Sequence, residues 1–235
     1  MLNAFSATAP VFLWSFATIG VYWAAKQIYR RWRRIWLMPI AITPLILIGL
    51  ILCLHESYQH YIRSAGWLVT LLAPATIAFA APVYEKRNVI RENWPILLAG
   101  MVMGSLTAVS TSYGLASLLG VEPAVRLSLA PRSLSSPFAM AVSNAIGGIP
   151  SLTAFFVLVT GFVGVFLGDA MASWLPLRSA IARGAFLGMS AHAAGTAKAY
   201  EIGREEGTIA GLVMVLSGIL NVAVASLLVL CLGQL

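Results

Sequence analysis

The sequence predicts an all-α polytopic membrane protein of seven to eight transmembrane segments, on three observations. Hydrophobic residues make up 60% of the chain and charged residues 10%, too apolar a balance for a soluble domain. Apolar runs of bilayer-spanning length recur from end to end. The basic residues are gathered rather than spread: Lys26, Arg30, Arg31, Arg33 and Arg34 stand together between two apolar runs. That is the mark of a cytoplasmic loop, and it points the net charge of +7 away from nucleic acid. Residues 1–235 therefore read as a single transmembrane domain.

Helix 1 is expected from Pro10 to Tyr29, with Trp14, Tyr22, Trp23, Tyr29, Trp32 and Trp36 supplying an interfacial aromatic belt. Met1–Pro10 carries no Lys or Arg, which predicts a retained first helix with its N-terminus outside. Helix 2 is expected from Leu37 to Leu54, followed by an outer polar loop with His55, Glu56, His60 and Arg63. Cys53 and Cys231 lie in apolar runs and read as buried structural thiols. Segment 3, Gly66–Tyr84, holds Pro74 and Pro82, each of which removes a backbone donor, so a straight helix is not expected. A mixed-charge loop follows, then helix 4 from Trp94 to Leu119, Gly- and Ser-rich as close packing in a bilayer prefers.

Segment 5, Glu122–Gly148, reads as two pieces joined across Pro131 and Pro137. Gly147 and Gly148 make a turn, and Pro150 is placed to start helix 6, which runs to about Leu175. Segment 7 begins near Ser179 and ends in Gly188–Glu201, where His, Thr, Lys and Glu interrupt the oil and Gly195 marks a break. Helix 8 is expected from Gly207 to Leu232. A shift of 116 residues lays Tyr84–Glu85 on Tyr200–Glu201, and Pro39 falls near Pro150, suggesting weak repeat halves at about 37–119 and 149–233. Broken helices in such repeats point to a midplane binding site. Arg178 and Arg183 favour a cytoplasmic loop before segment 7, hence a re-entrant element upstream.

Arg132 is the sharpest candidate, set between two prolines at membrane depth beside Ser133, Ser135 and Ser136. A guanidinium there can grip a carboxylate with two parallel hydrogen bonds, and a half-helix starting near Ser136 would add positive potential. His192 and Thr196 share a helix face, and His192 can exchange a proton near neutral pH. Lys198, Asn144 and Asn221 are further polar groups in apolar surroundings, and Asp169 is expected at an interface. No Gly-x-Ser-x-Gly elbow, HExxH, phosphate loop or paired Cys motif is present, so neither enzyme activity, a metal nor a cofactor is expected.

Ala130–Met140, Gly147–Pro150 and His192–Ala199, in that order, resemble the LrgB/CidB family, as does the proline-broken Pro74–Glu85. The family's usual Lys is Arg132 here, its Thr-Thr is Ser135-Ser136, and an Asn common before Pro39 is Met38. The resemblance implies a bacterial inner-membrane location and two kinds of function. One is holin-like control of murein hydrolase activity and lysis, with a small LrgA/CidA-type membrane partner. The other is carriage of small monocarboxylates such as pyruvate or glycolate, with a homo-oligomeric assembly and the coupling proton or cation left open. The residues favour the carrier, since a holin has no need of a midplane Arg among hydroxyls and broken helices.

Overall fold

The computed structural model describes residues 2–78, 80–172 and 174–232. Among them the only regular structure is helical. The chain divides into two compact units, one ending at Ile77 and one beginning at Ala78. The side chains of Pro82 and Asp169, both singled out in the sequence, lie outside the described residues.

In the first unit α1 (Leu2–Arg31) packs against α2 (Pro39–Cys53) and α3 (Tyr58–Ala65). Ser57 caps α3 by accepting from the His60 N–H at 3.1 Å. Trp14 does not join the aromatic belt: it is buried edge-on against Tyr61, whereas Tyr22, Trp23, Trp32 and Trp36 are exposed. Trp67 Nε1 donates to Ser15 Oγ at 2.7 Å, tying α1 to the start of segment 3. That segment turns at Leu71, three residues before Pro74, between α4 (Trp67–Thr70) and α5 (Leu72–Ala78), and α6 (Ala80–Glu85) follows Phe79, which lies outside the described residues. Cys53 and Cys231 are free thiols, but both are exposed, which corrects the buried reading.

Among the described residues the second unit holds three helices long and apolar enough to cross a bilayer: α7 (Arg87–Leu118), α10 (Pro150–Ala172, apolar through Gly168) and α12 (Arg204–Leu232). In α7 the hydroxyls of Thr107, Thr111 and Ser112 bond back to carbonyls four residues earlier, the ordinary way to satisfy hydroxyls in lipid. Between these helices stand α8 (Pro123–Leu129), α9 (Ser136–Ala145) and α11 (Ala180–Ile202).

α8 and α9, joined by the turn Ala130–Ser135, form a helical hairpin. Ile149 N–H, at the start of α10, donates to Ser128 Oγ in the last turn of α8 at 2.7 Å, and Thr153 Oγ1 donates to Ser143 Oγ near the foot of α9 at 2.7 Å. The hairpin tip, Ala130–Ser135, reaches the middle of α10 and a point on α7 two turns before its end, through Arg132. Gly147 makes the closing turn at φ +85°, and a Cβ on Gly148 would strike Ser143 and the backbone of Leu127 and Ser128.

α11 folds back as well. Ala191 (φ −135°, ψ 16°) and His192 (φ 41°, ψ −122°) leave the helical region, and the arms on either side touch. Leu187 and Ala199 share one buried cluster, and a Cβ on Gly195 would meet the Leu187 carbonyl. In a straight helix, at 1.5 Å per residue, Leu187 would stand ~18 Å from Ala199. Against α12 the first arm runs parallel, Gly184 beside Glu206 and Gly188 beside Ala210. The second arm runs antiparallel, Thr196 beside Gly211 and Tyr200 beside Gly207. The break therefore falls at Ala191–His192, ahead of the expected Gly195, whose part is to let the returning arm close on Leu187. Segment 7 thus forms a second hairpin, its two arms side by side.

Candidate functional site

The two hairpins enter from opposite faces and meet beside the middle of α10. From the Leu118 face the first tip brings Arg132 to Thr160; from the Arg204 face the second brings the His192 ring against Gly161. The arms of the first hairpin are short, seven residues in α8 and ten in α9, ~10 and ~15 Å against ~30 Å of hydrocarbon. Gly161, Gly164 and Gly168 give the second hairpin its track on α10, since a Cβ at Gly164 would collide with Ser190 and Ala191.

Arg132 is held by two hydroxyls. Its Nε donates to Ser112 Oγ at 2.7 Å and its Nη1 to Thr160 Oγ1 at 3.3 Å. Among the described residues no carboxylate is paired with it, whereas Arg183 is paired with Glu206 at 2.7 Å. Ser135, the residue before α9, makes no capping bond, and its buried Oγ has no partner. Pro137 has no N–H, and the Ser136 N–H opens α9 without a side-chain cap from Ser135.

Two crevices meet at this point. One, about 850 Å³, runs along α7 from Asn93 and along the first arm of α11 from Ser179, and ends on Arg132 and Ser133. The other, about 460 Å³, follows α10 from Phe156 to Leu167. Arg132 and Ser190 are the two residues that line both. Beside them Asn221 Nδ2 donates to Ser105 Oγ at 2.8 Å, joining α12 to α7 next to Pro131 and Ser133.

The other residues marked in the sequence fall around this centre. His192 is 2% exposed; neither ring nitrogen has a regular hydrogen bond, although the Val157 backbone faces the ring. It lines neither crevice, so it stands behind the second tip. Thr196 Oγ1 spends its proton on the His192 carbonyl at 3.0 Å. Ser136 opens α9, Pro131 lies in the first tip, and Asn144 is exposed near the foot of α9. Lys198 lies 3.7 Å from Glu201 on the returning arm, away from Arg132. Ser112, Thr160 and Ser190 escaped the sequence reading as site residues. Ser112 and Thr160 are recognisable only once Arg132 is seen to reach them.

The profile of the LrgB-like family matches residues 18–231. The chain is 37% identical to the uncharacterized protein YwbG of Bacillus subtilis over 91% of its own length and 95% of the relative's. It is 28% identical to the holin-like protein CidB of Staphylococcus aureus, over 91% and 93% of the two chains. No solved structure matches it. With a family profile covering nearly all of it, and with apolar helices to cross a bilayer, the chain is a membrane protein belonging to the LrgB-like family.

Proposed function

We propose that this protein carries small monocarboxylates, of the pyruvate or glycolate kind, across the membrane by alternating access. The observation that supports this reading best is Arg132: a guanidinium at half depth, bonded to two hydroxyls and to no acid. Charges within a membrane are costly unless a partner neutralises them, and the missing partner here is an anion that comes and goes. Ser133 lines the crevice beside it, and Ser135 and Ser136 follow at the start of α9. The returning arm of α11 begins behind the second tip, at His192 and Thr196, and its N-terminus adds positive potential from that side. Lys86, Arg87, Arg91, Arg178, Arg183 and Arg204 lie toward the face where the larger crevice opens, which makes that face cytoplasmic.

Uptake of labelled pyruvate and glycolate into liposomes containing the purified protein tests this. Saturable, selective uptake is expected. Arg132→Ala should lower apparent affinity about 30-fold or more, since unpairing a desolvated charge costs ~2–5 kcal/mol. Arg132→Lys should keep part of it. Uptake by folded Arg132→Ala protein equal to the parent's would end the proposal.

The names of the relatives favour a second reading more directly than the first: a holin-like regulator of murein hydrolase export and lysis, acting with a CidA/LrgA-type membrane partner in an oligomer. A pore of that kind would release solutes of either charge. Leakage of cationic and anionic dyes from the same liposomes, with or without the partner, would put this reading first.

A further inference from the structure

We propose that the crevice of about 850 Å³ is a binding site for unbranched medium-chain fatty acids, with the carboxylate on Arg132 and the tail between α7 and the first arm of α11. The proposal rests on Arg132 as the anion-holding group and adds a second class of ligand to it. Size is the first reason. Cavities of several hundred Å³ hold drug-sized ligands, and a three-carbon acid on Arg132 leaves most of this one unfilled. Shape is the second. From Asn93 to Ala108 the lining positions of α7 recur every three or four residues, so the crevice follows one face of that helix for ~22 Å. The walls are the third. Ile96, Leu97 and Met101 line it from α7, and Ile181, Phe186 and Met189 from α11.

The polar residues along these walls are already satisfied. Asn93 Nδ2 donates to the Val89 carbonyl at 3.0 Å and Thr107 Oγ1 to the Met103 carbonyl at 2.7 Å, while Ser179 Oγ accepts from the Ala182 N–H at 3.1 Å. The charge stands at one end. Arg132 has Nε on Ser112 and Nη1 on Thr160, and neither hydroxyl engages Nη2, which is left to meet a carboxylate. A single cation at the end of two apolar walls is the complement of an amphiphile with an anionic head. Among the described residues no second cation lines the crevice, so a dicarboxylate gains nothing there, and a neutral lipid tail leaves Arg132 unmatched. Gly100 gives the groove its depth: it lines the crevice, and a Cβ there would meet nothing within 4 Å. A larger side chain at that position enters the space that the tail uses. An acid seated in this way fills both the anion's place and the approach to it, and so competes with smaller acids.

The test is calorimetric titration of the whole protein in lipid nanodiscs with pyruvate, butyrate, hexanoate, octanoate and octan-1-ol, with empty nanodiscs as the blank for partition into lipid. Affinity should rise about twofold to fourfold with each methylene added between butyrate and octanoate, the upper figure corresponding to ~0.8 kcal/mol for full burial. Octan-1-ol should bind about tenfold or more weaker than octanoate. Gly100→Leu should cancel the gain of octanoate over butyrate, and Gly100→Ala should cancel part of it if the leucine variant proves unstable. Arg132→Ala should lower octanoate affinity about tenfold or more. Equal affinity for butyrate and octanoate, or a gain untouched in folded Gly100→Leu protein, would overturn the proposal while leaving the carrier intact. So would octan-1-ol binding as tightly as octanoate, since the charge would then play no part. Binding of no acid of any length, pyruvate included, would sink the reading of Arg132 and the fatty-acid site with it.

Discussion

Arg132 is held from two directions. Ser112 belongs to α7 and Thr160 to α10, so the guanidinium is fixed between helices that are not neighbours in sequence. Hydrogen bonds to a charged group are worth ~1.5–3 kcal/mol, more than neutral ones. Ser112→Ala should therefore weaken carboxylate binding about tenfold or more, and Thr160→Val, at the longer distance, less; titration of purified protein by microcalorimetry checks the order. The site was partly legible before any fold was known. An Arg between two prolines in an apolar chain announces itself, because nothing structural asks for it there. Ser190 announced nothing: in a stretch rich in Gly, Ala and Ser, one more serine carries no signal until its neighbours across the crevice are known.

The hairpins differ in how far the sequence betrayed them. Pro131 and Pro137 marked the break between α8 and α9, since proline removes a donor and clashes with the turn before it. α11 has no proline within it, and its fold-back at Ala191–His192 rests on close packing that one sequence does not display. Glycines are where that packing shows. A Cβ at Gly188 would fall on the backbone of Ala210, while at Gly114 it would meet nothing within 4 Å. Gly188→Val should cost ~1–3 kcal/mol by overpacking and lower the melting temperature in detergent, with Gly114→Ala as the indifferent control. His192 carries its own strain, a bulky residue at φ 41°, which packing on α10 must sustain. Aligned helical periodicity could not foretell that residue, because its conformation is dictated by the return of the arm.

Across the second unit, the two fold-backs set which loops share a face. Cysteines replacing Glu122 and Ile149, on either side of the first hairpin, should react with an impermeant reagent from one side of the membrane. Cysteines replacing Trp174 and Arg204, on either side of the second, should react from the other. Cys53 and Cys231 must first be removed, because both are exposed. Reaction of the Glu122 and Ile149 positions from opposite sides would mean that the α8–α9 segment crosses. Helical class and breaks in segments 3 and 5 were readable from composition and proline. The return of α11, and so the separation of loops between faces, was not.

The meeting of two tips at half depth also has an electrical consequence. If the crevice of about 850 Å³ fills with water and ions from one face up to Arg132, it short-circuits the part of the bilayer that it spans. The membrane voltage then falls almost wholly between Arg132 and the other face. A potential of 100 mV is worth ~2.3 kcal/mol per elementary charge. An anion arriving through the crevice crosses little of that field, and one leaving past the first hairpin crosses most of it. Binding from the crevice side should be nearly indifferent to voltage, and the passage onward should be the electrogenic step.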